Sequence, residues 1–207
     1  MYQRVHNRNS EMVYSMKYFS IYNTDQEILQ AMSDIHLRGQ WYDADITYSK
    51  GNFYSHKQPK YKTDKNPILP DVIKDDSQIL AALPMVNSVV FDPPFLFRNR
   101  KAVNNDQMFK RFSYFKSYEE LQTMYKNSLM CIKNKLLPKG YLFFKCQDMT
   151  DGKFYCTHNF IINFAQEIKF ELKDIFIKVS KNKLQADAKQ QNCGAKVHSY
   201  WLVFKNV

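Results

Sequence analysis

Apolar and polar positions recur with two different periods along the chain, and the changes between them predict both helices and strands. Thr24 and Glu27 have the spacing of a capping box, in which a hydroxyl and a carboxylate satisfy free N–H groups at the start of a helix. Apolar residues from Ile28 to Ile35 then follow at helical spacing, and Gly39 is a typical stop. The sequence therefore predicts an amphipathic helix of about four turns at this position.

Two later segments have the same helical period. Ser117 and Glu120 form a second capping box, and we expect the helix that follows to end at Pro138 and Gly140. Residues 157–168 are the third predicted helix.

Between these segments, short apolar or alternating runs predict strands, and the run Ser88–Phe91 is typical of a strand that is buried on both faces. Strands and helices alternate, which favours an α/β fold with a mostly parallel sheet and helices on its faces. The last two strands are joined by a polar segment without helical pattern, and we expect them to pair as a hairpin. The predicted strands are Trp41–Tyr48, Lys60–Thr63, Asp71–Lys74, Ser88–Phe91, Tyr141–Cys146, Glu171–Val179 and Ser199–Phe204.

The chain of 207 residues is expected to form one domain, because no linker rich in Pro or Gly divides it. Residues 1–22 have no clean period and are interpreted as an N-terminal arm, which leaves residues 23–207 as the domain.

Composition narrows the function classes. Thirty Lys and Arg residues against twenty Asp and Glu residues give a formal net charge of +10. Such a charge favours a partner with phosphate groups or an anionic surface, although a merely solvated basic surface is the alternative. No apolar run is long enough for a membrane span, and the first residues do not resemble a secretory signal, so we expect no membrane association.

The cysteine and histidine patterns argue against several other classes. The four cysteines form no CxxC pair, which disfavours a zinc ribbon or a disulfide framework and favours a reduced, cytoplasmic location. The five histidines lack metal-ligand spacing, so we expect no metal site. Neither a nucleophile elbow nor a Walker loop is present.

The sequence Asp92-Pro93-Pro94-Phe95 follows the buried strand directly. Each proline fixes its own φ and removes a backbone donor, so the loop is stiff and its carbonyls are left free to accept hydrogen bonds. The result is a carboxylate, free carbonyls and an aromatic ring in one place, which suits a planar group that bears an NH₂. An ordinary turn at the end of a strand is the alternative interpretation.

This motif resembles the Asp/Asn-Pro-Pro-aromatic motif of S-adenosylmethionine-dependent amino-methyltransferases, which methylate the exocyclic amine of adenine or cytosine. The segment Asp45–Tyr54 is similar to the divergent cofactor loop of small phage- and prophage-type DNA methyltransferases. The chain departs from the common glycine-rich fingerprint, because only Gly51 remains in this loop. The resemblance covers roughly residues 24–205.

The resemblance implies a single Rossmann-like class I methyltransferase domain, with a seven-stranded sheet whose last strand is antiparallel. It also implies S-adenosylmethionine as cofactor, held by the loop after the first strand and by acidic residues at the ends of the second and third strands. For these acidic residues, Asp64 and Asp75, a solvated turn is the alternative. The implied cofactor-binding residues are Asp45, Thr47, Tyr48, Gly51, Phe53, Asp64 and Asp75.

Catalysis is then expected at the proline motif. Hydrogen bonds from the acceptor NH₂ to Asp92 and to the carbonyl of Pro93 would orient the nitrogen lone pair toward the methyl group. Phe95 would stack on the acceptor base. The expected catalytic residues are Asp92, Pro93, Pro94 and Phe95.

Residues 97–116 interleave Arg and Lys with Phe and Tyr, a mixture that suits the backbone and bases of a nucleic acid. A lid whose charges are only solvated is the alternative. The basic residues expected to contact nucleic acid are Arg98, Arg100, Lys101, Lys110 and Arg111.

The sequence favours methyl transfer to the adenine amine of DNA. Cytosine amino methylation and an RNA substrate stay open, because the motif does not separate them. A non-catalytic nucleic-acid-binding subunit is the alternative of another class, although the intact proline motif argues against it. A second copy of the chain or a specificity partner is also left open, because the chain has no room for a separate recognition domain.

Overall fold

The computed structural model describes residues 2–6, 12–97, 115–180 and 194–207, with side chains from residue 17 onwards. Helices occur where the helical periods predict them. They are α1 (Asp25–His36), α2 (Tyr118–Lys135) and α3 (Thr157–Glu167).

The predicted caps explain where two helices begin. The Thr24 side chain accepts from the Glu27 N–H, and Glu27 accepts in return from the Thr24 N–H, so the capping box at α1 is complete. Ser117 caps α2 by accepting from the Glu120 N–H. At α3 the cap position is Cys156, which makes no side-chain capping bond.

Eight strands form the main sheet, in the spatial order β3-β11-β12-β8-β7-β4-β5-β6. Two further pairs, β1 with β2 and β9 with β10, are antiparallel and separate from it. The strands are β1 (Tyr2–His6), β2 (Met12–Met16), β3 (Ile21–Tyr22), β4 (Ala44–Asp45), β5 (Tyr61–Asp64), β6 (Ile73–Lys74), β7 (Val86–Phe91), β8 (Leu136–Cys146), β9 (Met149–Asp151), β10 (Lys153–Tyr155), β11 (Phe170–Val179) and β12 (His198–Asn206).

The topology confirms the expected fold class. Strands β4 to β8 are parallel and lie in the order 6-5-4-7-8, which is the Rossmann arrangement with its reversal between β4 and β7. The last strand, β12, is antiparallel to both β8 and β11, so the expected terminal hairpin is also confirmed. The parallel addition of β3 to β11 makes the sheet one strand wider than expected.

Both faces of the sheet are covered, but in different ways. Apolar residues of α2 and α3 pack on one face, with Leu129 and Ile161 fully buried. On the other face, α1 packs beside aromatic residues of the connection after β4, including Tyr48 and Tyr54. The connections 46–60, 65–72 and 75–85 contain turns and no helix. One face therefore depends on loop aromatics where a helix would otherwise lie.

The largest differences from the predicted boundaries concern the strand Trp41–Tyr48 and the junction between α2 and β8. The predicted strand Trp41–Tyr48 corresponds to β4, which covers only Ala44–Asp45. It ends there because the Thr47 N–H turns back and donates to the Asp45 side chain. Helix α2 ends at Lys135, before the predicted stop, and its continuation is strand β8.

Pro138 and Gly140 therefore lie inside β8 and do not end the helix. The register jumps there from Val86–Leu136 to Ser88–Tyr141, so the two residues belong to an irregularity of the strand. Among the described helices, none combines the length and the apolar character that crossing a membrane requires.

Candidate active site

The two loops that the sequence singles out lie side by side at the point where the strand order reverses. Asp45 ends β4 and pairs with Val90 of β7, and Asp92 directly follows the last residue of β7. In open α/β sheets, ligands bind beyond the carboxyl ends of the strands at this position. The fold therefore brings the predicted cofactor loop and the proline motif to one site.

The hydroxyl of Thr47 connects the two loops. It accepts a hydrogen bond from the Asp92 N–H at 2.7 Å, and it lies 3.3 Å from Oδ1 of Asp45. The Thr47 N–H donates to the same oxygen of Asp45 at 2.8 Å. Thr47 thus fixes the relative position of the two acidic residues.

Asp45 is buried, with 1% of its surface exposed. Its second oxygen accepts from the Tyr54 hydroxyl at 2.7 Å. Burial raises the pKa of Asp45 to about 7, although the hydrogen bonds from Thr47 and Tyr54 oppose the shift. Burial and the Asp45 carboxylate in turn raise the pKa of Tyr54 well above its usual range, so this hydroxyl stays protonated and donates.

Gly51 allows the loop after β4 to close on itself. Its φ of +67° lies in the left-handed region, and a Cβ at this position would collide with the Tyr48 side chain. The Tyr48 and Tyr54 rings stack with centroids 5.7 Å apart, and the half-buried Phe53 ring meets Trp201 edge to face at 5.7 Å. Steric constraints therefore explain why this position of the loop is a glycine.

Asp64 joins the end of β5 to this loop. One carboxylate oxygen accepts from the Ser49 N–H at 2.9 Å, and the other accepts from the Asn66 N–H at 2.7 Å. The residue is partly exposed. Each carboxylate oxygen has a second lone pair, so Asp64 can still accept hydrogen bonds from a ligand.

Asp75 is the least available of the predicted acidic residues. It is buried, and its two oxygens accept from the N–H groups of Ala81 and Ala82. Its own N–H donates to the Asp64 carbonyl, so it lies one strand further along the same edge.

The two proline carbonyls of the motif differ, and only one of them is left free as expected, among the residues that the structure describes. The Pro94 carbonyl accepts from the Tyr125 hydroxyl of α2 at 2.8 Å, which anchors the corner to the core. The Pro93 carbonyl accepts no hydrogen bond from any residue that the structure describes. Phe95 is partly exposed and therefore accessible to a ligand.

Asp92 has one free oxygen. Its side chain is 23% exposed, but Oδ1 is buried and has no hydrogen-bond partner among the described residues. The other oxygen, Oδ2, lies 3.6 Å from the Lys145 ammonium. Burial raises the pKa of Asp92, and the Lys145 charge opposes this shift. A buried acceptor without a partner costs free energy, so a hydrogen bond from a ligand or from a water at this oxygen would be favourable.

A buried charge network behind Asp92 was not predicted from the sequence. Lys145 of β8 pairs at 3.0 Å with Asp25, which is the first residue of α1. Asp25 also accepts from Lys178 at 2.6 Å and from the Trp201 indole at 3.0 Å. One local signal of this network is present in the sequence. It is the single lysine in the apolar run at the end of β8.

Asp148, Cys156 and His158 bring three atoms that could ligate a metal within 4.8 Å of one another. Asp148 accepts from the His158 N–H at 3.2 Å and lies 2.8 Å from its ring, so it supplies the helix cap that Cys156 does not. Helix capping explains this cluster, and the absence of a metal site stays a prediction.

A groove of about 510 Å³ opens beside the site, between α2, α3 and β10. Aromatic rings line it, and Phe154 is 54% exposed. Phe97, which follows the proline motif, packs against two of these rings, with centroids 5.4 Å from Tyr118 and 4.9 Å from Tyr155. Phe97 therefore packs the chain that leaves the proline motif against rings that line the groove.

The predicted nucleic-acid residues Arg98, Arg100, Lys101, Lys110 and Arg111 lie outside the described residues. The described ends of their segment come together, because Phe97 and Phe115 form a β-bridge.

Comparison with known proteins finds similarity only among solved structures, since no family model and no curated relative matches. PvuII DNA methyltransferase (cytosine-N4-specific) is 17% identical with a TM-score of 0.49, over 74% of this chain and 54% of that one. NodS N-methyltransferase from Bradyrhizobium japonicum WM9, in complex with S-adenosyl-L-homocysteine, is 11% identical with a TM-score of 0.47, over 88% of each chain. TrmN from Thermus thermophilus is 14% identical with a TM-score of 0.39, over 66% of this chain and 28% of that one. The chain thus spans about a quarter to a half of the TrmN and PvuII proteins, and these similarities assign it no activity.

Proposed function

We propose that the protein is an S-adenosylmethionine-dependent methyltransferase that acts on the exocyclic amino group of adenine in DNA. The observation that carries the proposal is a pair of acceptors, Asp92 Oδ1 and the Pro93 carbonyl, which have no hydrogen-bond partner within the described part of the chain. They lie beside the loop after β4, at the reversal of the strand order. We assign this activity to residues 23–207, with residues 1–22 as an arm.

The residues around the loop fit the cofactor. A methionyl cofactor needs carboxylates for its ammonium and ribose groups and apolar surface for its adenine, and it carries no phosphate. We assign the ammonium to the Asp45 end of the loop, with Thr47 and Gly51 shaping its backbone. The proposed ribose ligand is Asp64, with Asp75 at the adenine end and Tyr48 and Phe53 supplying the apolar surface. The cofactor supplies a methyl group that its positive sulfur already activates.

The chain's own residues then prepare the acceptor. An aromatic amine is a poor nucleophile, because its lone pair is delocalised into the ring. Hydrogen bonds from the NH₂ to Asp92 Oδ1 and to the Pro93 carbonyl would draw the nitrogen toward tetrahedral geometry. The amine becomes acidic only as it is alkylated, so Asp92 need not act as a strong base beforehand. Phe95 would stack on the base and offset part of the cost of taking it out of a duplex.

Nucleic acid as the acceptor is supported by charge and by the groove. The net charge of +10 favours a phosphate backbone, and the segment with Arg98, Arg100, Lys101, Lys110 and Arg111 leaves the site at Phe97. In the groove, the exposed Phe154 ring has the Lys196 ammonium 5.0 Å from its centroid. Aromatic rings with adjacent cations are the usual platform for unpaired bases. The free thiols of Cys131, Cys146 and Cys156 agree with a reducing compartment, and we propose the cytoplasm.

Labelled-methyl transfer to duplex DNA, single-stranded DNA and RNA tests the proposal, with the modified nucleoside identified by mass. We expect N6-methyladenine in DNA. If N4-methylcytosine forms instead, the enzyme class stands and the target base is cytosine. If only RNA is modified, the substrate is RNA and not DNA. If no acceptor is labelled although the cofactor binds, the proposal fails in favour of a non-catalytic subunit.

A further inference from the structure

Lys145 contacts Asp92, the carboxylate whose Oδ1 is the acceptor of the proposed site. It is buried in β8, and its ammonium is 3.6 Å from Oδ2 of Asp92, the oxygen opposite the free one. The same ammonium lies 4.5 Å from the centroid of the Phe53 ring, in the loop after β4. One buried cation therefore contacts both loops of the candidate site.

The ammonium is held from its other side by α1. Asp25 binds it at 3.0 Å and is itself fixed by the Trp201 indole and by Lys178. Burial favours the neutral amine of Lys145, but Asp92 and Asp25 outweigh it and raise the pKa of Lys145, so the residue is a cation. A charge held by this many partners has little freedom to move.

We infer that Lys145 is a positioning residue for methyl transfer, whose ammonium holds one oxygen of Asp92 so that the other oxygen faces the acceptor amine. The inference rests on the proposed function and adds to it a residue outside the proline motif. Without this contact, Asp92 could rotate and share both oxygens with other partners, and the acceptor amine would lose its fixed hydrogen bond.

The ammonium also opposes protonation of Asp92 and so favours its accepting form. Burial and the neighbouring Asp25 carboxylate raise the pKa of Asp92, and Asp45 lies close enough to interact with it. The cations that oppose them are Lys145 on β8 and, more weakly, Lys178 on β11. Tyr125 of α2 and Cys146 of β8 also lie close enough to interact electrostatically with Asp92, but burial raises their pKa values well above the usual range, so both are neutral. A protonated Asp92 would donate where the amine needs an acceptor.

Lys145→Met removes the cation and keeps an unbranched side chain that is one atom shorter. We expect kcat to fall about 10- to 100-fold, because the acceptor amine loses its hydrogen bond to the charged Asp92. The KM for the cofactor should change little. The acid limb of the plot of kcat/KM against pH should shift to higher pH by about 1 unit or more, because the pKa of Asp92 rises without the cation. Lys145→Arg, which keeps the charge, should recover part of kcat and return the limb toward its original position.

Lys178→Met is the matched control, because Lys178 binds Asp25 but makes no ion pair with Asp92. It should move the acid limb less than Lys145→Met does. If the two variants behave alike, or if Lys145→Met loses activity without moving the limb, the inference is wrong and the network is only structural. Lys145→Gln replaces Lys145→Met if the latter does not fold.

Carboxyl ¹³C NMR of Asp92 separates this inference from the proposed function, since it needs no turnover. The Asp92 pKa should be higher in Lys145→Met than in the wild type. An inactive wild type with this shift would overturn the proposed function and leave the electrostatic contact intact. An active wild type without the shift would overturn the inference alone.

Discussion

Asp45 is the proposed ligand of the cofactor ammonium, and its buried carboxylate should couple proton binding to cofactor binding. Its pKa is raised from 3.8 to about 7, mainly by burial, so near neutral pH it is partly protonated in the folded protein. The folded state therefore binds more protons than the unfolded state between these two values. By linkage, the contribution of Asp45 to the free energy of unfolding should fall as the pH rises from about 4 to about 7.

We expect Asp45→Asn to flatten this pH dependence, because the side chain no longer titrates. The measurement is the denaturant midpoint of both proteins across pH 4 to pH 8. Asp71→Asn is a suitable control, because Asp71 is exposed and pairs only at the surface with Lys62. If the denaturant midpoint of Asp45→Asn falls equally steeply with pH, a group other than Asp45 has the raised pKa.

Cofactor binding should also release a proton at Asp45. A bound ammonium group favours the carboxylate, so affinity should rise with pH through about 7. Calorimetry in two buffers of different ionisation enthalpy measures the proton release at pH 6.5. Release that persists in Asp45→Asn would contradict the assignment of the ammonium to this residue.

At the scale of the elements, local patterns predict what depends on neighbours in the sequence. The capping residues Thr24 and Ser117 and the buried run before Asp92 indicate where α1, α2 and β7 lie, because each signal is contained in a few consecutive positions. The end of α2 was missed, since a strand continues from it without a break and Pro138 is accommodated in an irregular part of β8.

The loop after β4 is an element without regular structure, and Gly51 supports it. Gly51→Ala should lower the free energy of unfolding by more than the ~1–2 kcal/mol that a left-handed backbone costs, since the new Cβ also meets Tyr48. Gly152→Ala is the matched control, because Gly152 has a similar φ of +72° with open space around it. Equal destabilisation in urea titrations would show that the collision with Tyr48 is relieved at no cost.

The groove between α2, α3 and β10 gives the prediction for nucleic-acid contact. Phe154→Ala should weaken binding of single-stranded DNA by ~1–3 kcal/mol, the usual contribution of a stacked base. Phe19→Ala, a similarly exposed ring outside the groove, should leave it unchanged. Fluorescence anisotropy measures both, and equal affinities of the two variants would remove the groove from the interface.

For the whole molecule, sequence reasoning reached the α/β class and the juxtaposition of Asp45 with Asp92. Both follow from the rule that parallel strands bring their carboxyl ends to one edge. It did not reach the contact of Lys145 with Asp25, because α1 and β8 are distant in sequence and only the packing of α1 on the sheet brings them together. Buried charge pairs between distant elements leave little local pattern beyond one polar residue in an apolar strand.

The net charge of +10 is a property of the whole chain and predicts salt-dependent binding to nucleic acid. Neutralising Arg98, Arg100 and Lys101 together should flatten the plot of log affinity against log salt, by up to ~0.9 for each phosphate that the protein no longer neutralises. An unchanged slope would assign the electrostatic attraction to other parts of the surface.

Asp92 is proposed to present an acceptor oxygen to an amine beside the cofactor. The most direct test is the single-turnover rate of labelled-methyl transfer to DNA by Asp92→Ala, with the cofactor Kd measured on the same sample. We predict a rate at least about 100-fold below that of the wild type, with a cofactor Kd within a few-fold, because only the acceptor side loses its hydrogen-bonding oxygen. Methyl transfer at the wild-type rate by a folded Asp92→Ala protein would contradict the proposed role of Asp92.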